Sequence, residues 1–259
     1  MLAETFSLWD CENKIPTISY YKPEKKTSEW SVVIFAGGSY KYHAEHEGKD
    51  YAEFLNKNGI TAFVVNYRLA PNRFPAQLED ARQAMRLVRE NAEKFGVSKD
   101  KIAAMGSSAG GHLAALLSNY TEKLPGEGDM EDFLPNAHIL CYPVIRLTPD
   151  FGHPPSGENL FGEEYEKFAE KFCVDSLVSE NTPPAFVWHV LTDTSVSVMN
   201  SISYVKAMHE KGRPVEFHIF PEGTHGMGLS DKYDLPYYKN VAQWKSLFLN
   251  WLSGLDAEK

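Results

Sequence analysis

Apolar positions along this chain fall into short continuous runs, and between them lie longer stretches with helical spacing. Ile15 to Tyr21 and Trp30 to Phe35 read as strands joined by a charged turn around Pro23 to Glu29. Lys49 to Asn58 reads as a helix closed by Gly59, and Ile60 to Tyr67 as the next strand. From Gln77 to Phe95, apolar residues recur at Ala81, Ala84, Met85, Val88 and Ala92, one face of a helix that Gly96 would stop. Lys101 to Met105 is a short run suited to a buried strand, and Gly111 to Leu117 opens an Ala/Leu-rich helix. Ala137 to Tyr142, Ala185 to Leu191 and Val215 to Phe220 are later strands, with helices over Val198 to Lys211 and Tyr237 to Leu252. The last helix carries Val241, Trp244, Leu247, Phe248, Trp251 and Leu252 on one side, a face made to pack on a sheet. Strands alternating with helices predict an α/β fold: a mostly parallel central sheet with helices on both faces.

The stretch between Pro143 and Pro184 breaks this rhythm. It is rich in Pro, Gly and Glu and has no strand character. A segment of that length is seldom structureless inside a compact domain. It predicts a small cap over residues 144–182, with a short helix near Glu163 to Phe172, inserted in a single domain spanning residues 1–259.

The most informative pentapeptide is Gly106-Ser107-Ser108-Ala109-Gly110, placed between the strand ending at Met105 and the helix beginning at Gly111. G-x-S-x-G on a sharp strand-to-helix turn holds its serine in a strained conformation, with the hydroxyl projecting above the sheet. A serine is a poor nucleophile until a base takes its proton, and on such a sheet the acid and base follow it on later strand-end loops. The strand ending at Leu191 runs into Asp193, and the strand ending at Phe220 runs into His225. Ser108, Asp193 and His225 therefore converge at the carboxyl edge of the sheet, where open α/β sheets place their sites. In these roles His225 moves the proton and Asp193 orients the ring. Asp175 and Asp231 are weaker rivals because neither directly follows a strand. His189 and His218 lie within strands and read as core histidines, and His112 lies on the helix after Ser108.

An oxyanion hole needs backbone N–H groups aimed at the developing charge. Ala109 supplies one, and the loop Ala36-Gly37-Gly38-Ser39-Tyr40 after the strand Trp30 to Phe35 supplies others, Gly38 and Ser39 being the candidates. Neither G-x-G-x-x-G nor G-x-x-x-x-G-K-[ST] is present, which disfavours nucleotide binding, and no H-E-x-x-H appears, so no metal or cofactor is expected.

Charge and composition narrow the partners. The formal net charge of −9 and pI near 5.5 argue against nucleic acid or an anionic membrane surface. Cys11, Cys141 and Cys173 are far apart and form no C-x-x-C pair, so they read as incidental thiols. The first residues lack the basic start and apolar core of a signal peptide, and no apolar run reaches the roughly 20 residues of a membrane span. A cytoplasmic protein is expected, with its oligomeric state, a homodimer included, left open.

Assembled in this way, the chain resembles α/β-hydrolases of the esterase/lipase type, and most of all small bacterial acetyl esterases and carbohydrate esterases related to the hormone-sensitive-lipase group. Tyr67-Arg68-Leu69-Ala70-Pro71 matches that group's Y-R-L-A-P segment, and Thr182-Pro183-Pro184 before the acid strand is also typical. Asp193 and His225 fall at its acid and base positions. The resemblance implies a serine esterase that forms an acyl-enzyme and cleaves short-chain, chiefly acetyl, esters of a carbohydrate or similar small alcohol. Amide or formamide hydrolysis, peptidase activity and a catalytically silent binding protein are the alternatives.

Two departures from the group stand out. Ala36 and Ser39 replace the outer members of its H-G-G-G or P-G-G-G loop, and a serine at 39 fits that register only with a negative φ. The long N-terminal cap helices of larger relatives are missing, which implies an open pocket. Tyr40 and Glu47 are expected to contact substrate, with Tyr42, His43, Phe151, Phe161 and Tyr165 as further candidates for lining a sugar pocket.

Overall fold

The computed structural model describes residues 3–9, 16–124 and 129–256. Eight strands form one sheet in the order β1-β2-β4-β3-β5-β6-β7-β8. They are β1 (Ala3–Ser7), β2 (Thr17–Tyr21), β3 (Ser31–Phe35), β4 (Thr61–Asn66), β5 (Ile102–Ser107), β6 (Ala137–Cys141), β7 (Ala185–Val190) and β8 (Val215–Phe220). β2 is antiparallel to β1 and β4, and every pair from β4 through β8 is parallel. The central strands β3, β5, β6 and β7 are buried at every position, as expected of strands covered on both faces.

Two apolar cores result, one on each face. Helix α1 (Lys49–Lys57) and the C-terminal helices cover one face, where Tyr51, Leu55, Trp188, Trp244 and Phe248 pack together. Helices α2 (Ala76–Glu90), α3 (Ala92–Phe95), α4 (Ser108–Asn119) and, later in the chain, the helix over Met199–Glu210 cover the other, with Met85, Leu113, Leu117, Tyr204 and Met208 inside.

Three expectations change in physical detail. The helix expected over Gln77 to Phe95 breaks between α2 and α3 at Asn91, whose side-chain amide donates to Leu87 O at 2.9 Å. The insertion adds a helix, α5 (Pro154–Phe161), ahead of the expected one, which is the single turn α6 (Tyr165–Phe168). Pro154 and Pro155 occupy the first turn of α5, where a missing N–H is harmless. The final helix is two: after α7 (Met199–Glu210) come α8 (Pro236–Val241) and α9 (Trp244–Gly254), and α8 again opens on proline. Strand β1 was not anticipated. Cys11 lies outside the described residues, while Cys141 and Cys173 are free and buried.

Candidate active site

The sharp turn between β5 and α4 rests on two glycines. A Cβ on Gly106 would meet Gly110 O at 2.0 Å, and one on Gly110 would meet Phe35 O at 2.1 Å. Strand and helix can close on one another only without those side chains. Ser108 takes the strain, with φ at +52°, and keeps 6% of its surface exposed at the carboxyl edge of the sheet.

The loops after β7 and β8 bring the other two groups to it. His225 Nε2 lies 2.9 Å from Ser108 Oγ, and His225 Nδ1 lies 2.7 Å from Asp193 Oδ2. A carboxylate can only accept, so Nδ1 carries the proton and Nε2 is free to accept the serine hydroxyl. Burial works to raise the pKa of Asp193, but donors from His189, His225 and the Val196 amide outweigh it and hold the acid far below the usual carboxylate range. Its Oδ1 accepts the amides of Ser195 and Val196, both at 2.9 Å. Asp175 and Asp231 are engaged elsewhere, with Arg146 at 3.3 Å and Lys245 at 3.2 Å.

The glycine loop lies directly against the nucleophile, since a Cβ on Gly37 would stand 2.9 Å from Ser108 Cβ. Contrary to the expected negative φ, Ser39 is left-handed at +54°, between Gly38 at +119° and Tyr40 at +59°. The loop is held in this shape by partners distant in sequence. Tyr67 donates to Ala36 O at 2.6 Å, Ala70 N to Tyr40 O at 2.9 Å, and Asn159 Nδ2 to Ser39 O at 2.9 Å. The Y-R-L-A-P segment thus braces the loop, while Arg68 anchors the segment to buried Asp80 at 2.8 Å. Among the described residues the N–H groups of Gly38 and Ser39 meet no protein acceptor.

Several expected substrate contacts are corrected. Tyr40 is fully buried, its hydroxyl 2.8 Å from His112 Nδ1, because the left-handed turn at Ser39 swings it inward. Glu47 is buried too, accepting Gly37 N–H and the Tyr142 hydroxyl, each at 2.8 Å. His43 packs edge-on against Tyr67, and burial pushes it down to about 4. Phe161 and Phe172 of the insertion pack with Phe74 in an aromatic cluster, and Tyr165 donates to Leu147 O at 2.8 Å. Tyr42 alone of the loop aromatics is well exposed, at 60%. His218 is not a core residue, since it sits half-exposed on edge strand β8, paired with Glu216 at 2.8 Å.

Other contributors escaped the sequence reading. His189 backs Asp193 at 3.3 Å, and the Tyr142 ring meets the His225 ring edge-on, 5.2 Å between centroids. Beside His225 opens a cavity of about 620 Å³, bounded by His46, Asp50, Thr224, Tyr233 and Tyr238. No helix among the described residues is long and apolar enough to cross a membrane.

Comparison with known proteins agrees with this frame. The chain is 35% identical to an acetyl ester-xyloside bifunctional hydrolase from Caldicellulosiruptor lactoaceticus, with a TM-score of 0.85 over 98% of this chain and 96% of that one. MGS-M1, an α/β hydrolase from a deep-sea metagenome, superposes with a TM-score of 0.78 at 26% identity, covering 98% of this chain and 97% of that one. An acetylxylan esterase of Xylanibacter ruminicola is 32% identical over 92% of this chain, of which the chain spans 48%. The chain thus spans about half the length of that curated relative. The fold is that of the α/β-hydrolases. With the BD-FAE profile matching residues 18–208, on a sheet that carries the serine, histidine and aspartate together, the chain belongs to the BD-FAE family.

Proposed function

We propose that this protein is a serine esterase that removes acetyl groups from a carbohydrate of the xylan type. The observation that carries the reading is the unbroken hydrogen-bond line from Ser108 Oγ through His225 to Asp193, at 2.9 and 2.7 Å. The acetylxylan esterase and the acetyl ester-xyloside hydrolase among its relatives support the substrate class.

In this reading Ser108 Oγ bonds to the ester carbonyl carbon as its proton passes to His225 Nε2. The charge on the former carbonyl oxygen is met by the N–H groups of Gly38, Ser39 and Ala109, the last at the start of α4, where amides lack helical partners. Collapse breaks the bond to the alcohol oxygen, which takes the proton from His225. Water, deprotonated by the same nitrogen, then attacks the acetyl-serine; Ser108 Oγ leaves with the proton from His225, and acetate is released. Asp193 stays ionised throughout and favours the imidazolium.

The alcohol oxygen must lie on the His225 side when it takes that proton, so the cavity beside His225 is the place for the sugar. Tyr233 and Asp50 supply ring contact and hydrogen bonding there. The insertion over residues 144–182 reaches the glycine loop, where Asn159 Nδ2 donates to Ser39 O. Two unpaired thiols, Cys141 and Cys173, suit a cytoplasmic location.

The test is acetate release from acetylated xylo-oligosaccharides by the wild type and by Ser108→Ala. Turnover lost by on the order of a thousandfold or more in the variant supports the reading. Retention of most of the rate overturns it, and turnover of formamides or anilides in place of esters moves the activity to amides.

A further inference from the structure

Glu47 is 2% exposed, yet its carboxyl group meets two donors from different parts of the site. Oε2 accepts the Gly37 N–H at 2.8 Å, one residue before the loop that carries Gly38 and Ser39. Oε1 accepts the Tyr142 hydroxyl at 2.8 Å. That hydroxyl in turn accepts the N–H of Gly228, on the His225 loop, at 3.0 Å. Tyr142 also presses edge-on against the His225 ring, at an interplanar angle of 73°. A third connection reaches the elbow: Tyr51 Oη lies 3.3 Å from Tyr142 Oη and 3.0 Å from Ser107 Oγ, beside the nucleophile.

These contacts converge beside Ser108, since a Cβ on Gly37 would stand 2.6 Å from Glu47 Oε2 and 2.9 Å from Ser108 Cβ. Gly37 N–H and the Tyr142 hydroxyl are buried donors that point at one spot, and each would be costly to leave unpaired. A single two-oxygen acceptor satisfies both.

We infer that Glu47 is a positioning residue, which fixes the glycine loop and the His225 loop relative to Ser108 through Gly37 and Tyr142. The inference rests on the esterase reading. Its consequence is that polar contacts at Glu47 set the rate of the chemical step without touching substrate, because displacement of either loop misaligns donors or base.

Three variants test it. Glu47→Leu removes both acceptors at similar volume. Glu47→Gln keeps an oxygen for Gly37 N–H and offers an amide to the Tyr142 oxygen, which can then turn its proton toward Tyr51. Tyr142→Phe retains the ring on His225 but strips the acceptor from Gly228. Active sites are counted by covalent labelling of Ser108 with a fluorophosphonate, and kcat and KM for p-nitrophenyl acetate are expressed per labelled site.

Glu47→Leu is expected to lower kcat per site roughly 10- to 100-fold with little change in KM. Glu47→Gln should recover most of that loss, Tyr142→Phe should fall between, and Glu47→Leu with Tyr142→Phe should lose less than the product of the two. A purely structural role would reduce the number of labelled sites and leave kcat per site alone. Values within about twofold of wild type for Glu47→Leu and Tyr142→Phe overturn the inference. Should Glu47→Leu not fold, Tyr142→Phe decides it by the same measure. A wild type that neither labels at Ser108 nor cleaves esters overturns the esterase reading, and this inference falls with it.

Discussion

His189 stands behind Asp193, its Nε2 3.3 Å from the Oδ2 that faces His225 and 3.0 Å from Val196 O. Val196 O can only accept, so Nε2 carries the proton, and Nδ1 accepts the Ser201 hydroxyl at 2.7 Å. The imidazole is wholly buried and holds the acid from below while His225 holds it from above. His189→Phe should lower kcat by about tenfold or less, because Asp193 keeps the Ser195 and Val196 amides and His225. It should also destabilise the fold by about 1–3 kcal/mol through the orphaned Ser201 and Val196 groups. Denaturant titration alongside kinetics separates the two effects.

Asp193→Asn should be far more severe. An asparagine can hold His225 in the wrong tautomer, so a loss in kcat on the order of 10⁴ is expected, with the unfolding midpoint little changed. A loss of tenfold or less would mean that Asp193 is not the orienting acid.

The elbow glycines predict a loss of stability rather than of chemistry. Gly110→Ala sets a methyl against Phe35 O, and Gly106→Ala sets one against Gly110 O, both backbone atoms that cannot step aside. Each should cost about 2–4 kcal/mol of folding free energy, or leave the chain insoluble. Urea midpoints matching the wild type would contradict the close approach.

Stability should fall in mild acid. Burial pushes His43 and His112 down to about 4 and His138 down to about 3. The unfolded chain takes up protons near 6.5 that the folded chain refuses, so it gains relative to the native state as pH falls from there toward 4. For fully buried His112 the loss between pH 7 and pH 5 is about 2 kcal/mol. Urea midpoints at the two pH values should differ accordingly, and His112→Gln should narrow the difference. Equal slopes for variant and wild type would show that His112 is not held neutral by the fold.

The cavity beside His225 predicts a separation of substrates. Tyr233→Ala or Asp50→Asn should reduce kcat/KM for acetylated xylo-oligosaccharides by roughly tenfold. p-Nitrophenyl acetate, which has no sugar, should be hydrolysed as before. Parallel loss on both substrates would place the alcohol elsewhere.

Ser108, Asp193 and His225 were legible because each sits one short step beyond a continuous apolar run, and such runs end where the sheet ends. The geometry of the glycine loop was not. The left-handed Ser39 and Tyr40 are imposed by Ala70 N and Asn159 Nδ2, contacts that exist only after the chain has folded back. Two polar side chains nearby were misread for the same reason, that their partners are distant in sequence. Tyr40 and Glu47 lie in and after a glycine-rich loop at a strand end, the usual place for substrate contacts, yet both point inward, to His112 on α4 and to Tyr142 just beyond β6. The insertion was visible as an interruption, and α6 lies where a helix was expected, whereas α5, which opens on paired prolines, lies outside that stretch.

Asn159 ties the insertion to Ser39, the very residue whose amide faces the reacting carbonyl in the proposed mechanism. Exchanging this segment for that of a relative, a natural way to seek new substrates, would therefore retune catalytic power along with selectivity. In a directed-evolution campaign, segment swaps that discard Asn159 would need compensating changes in the glycine loop, whereas libraries confined to the cavity beside His225 could vary preference while leaving the rate machinery intact.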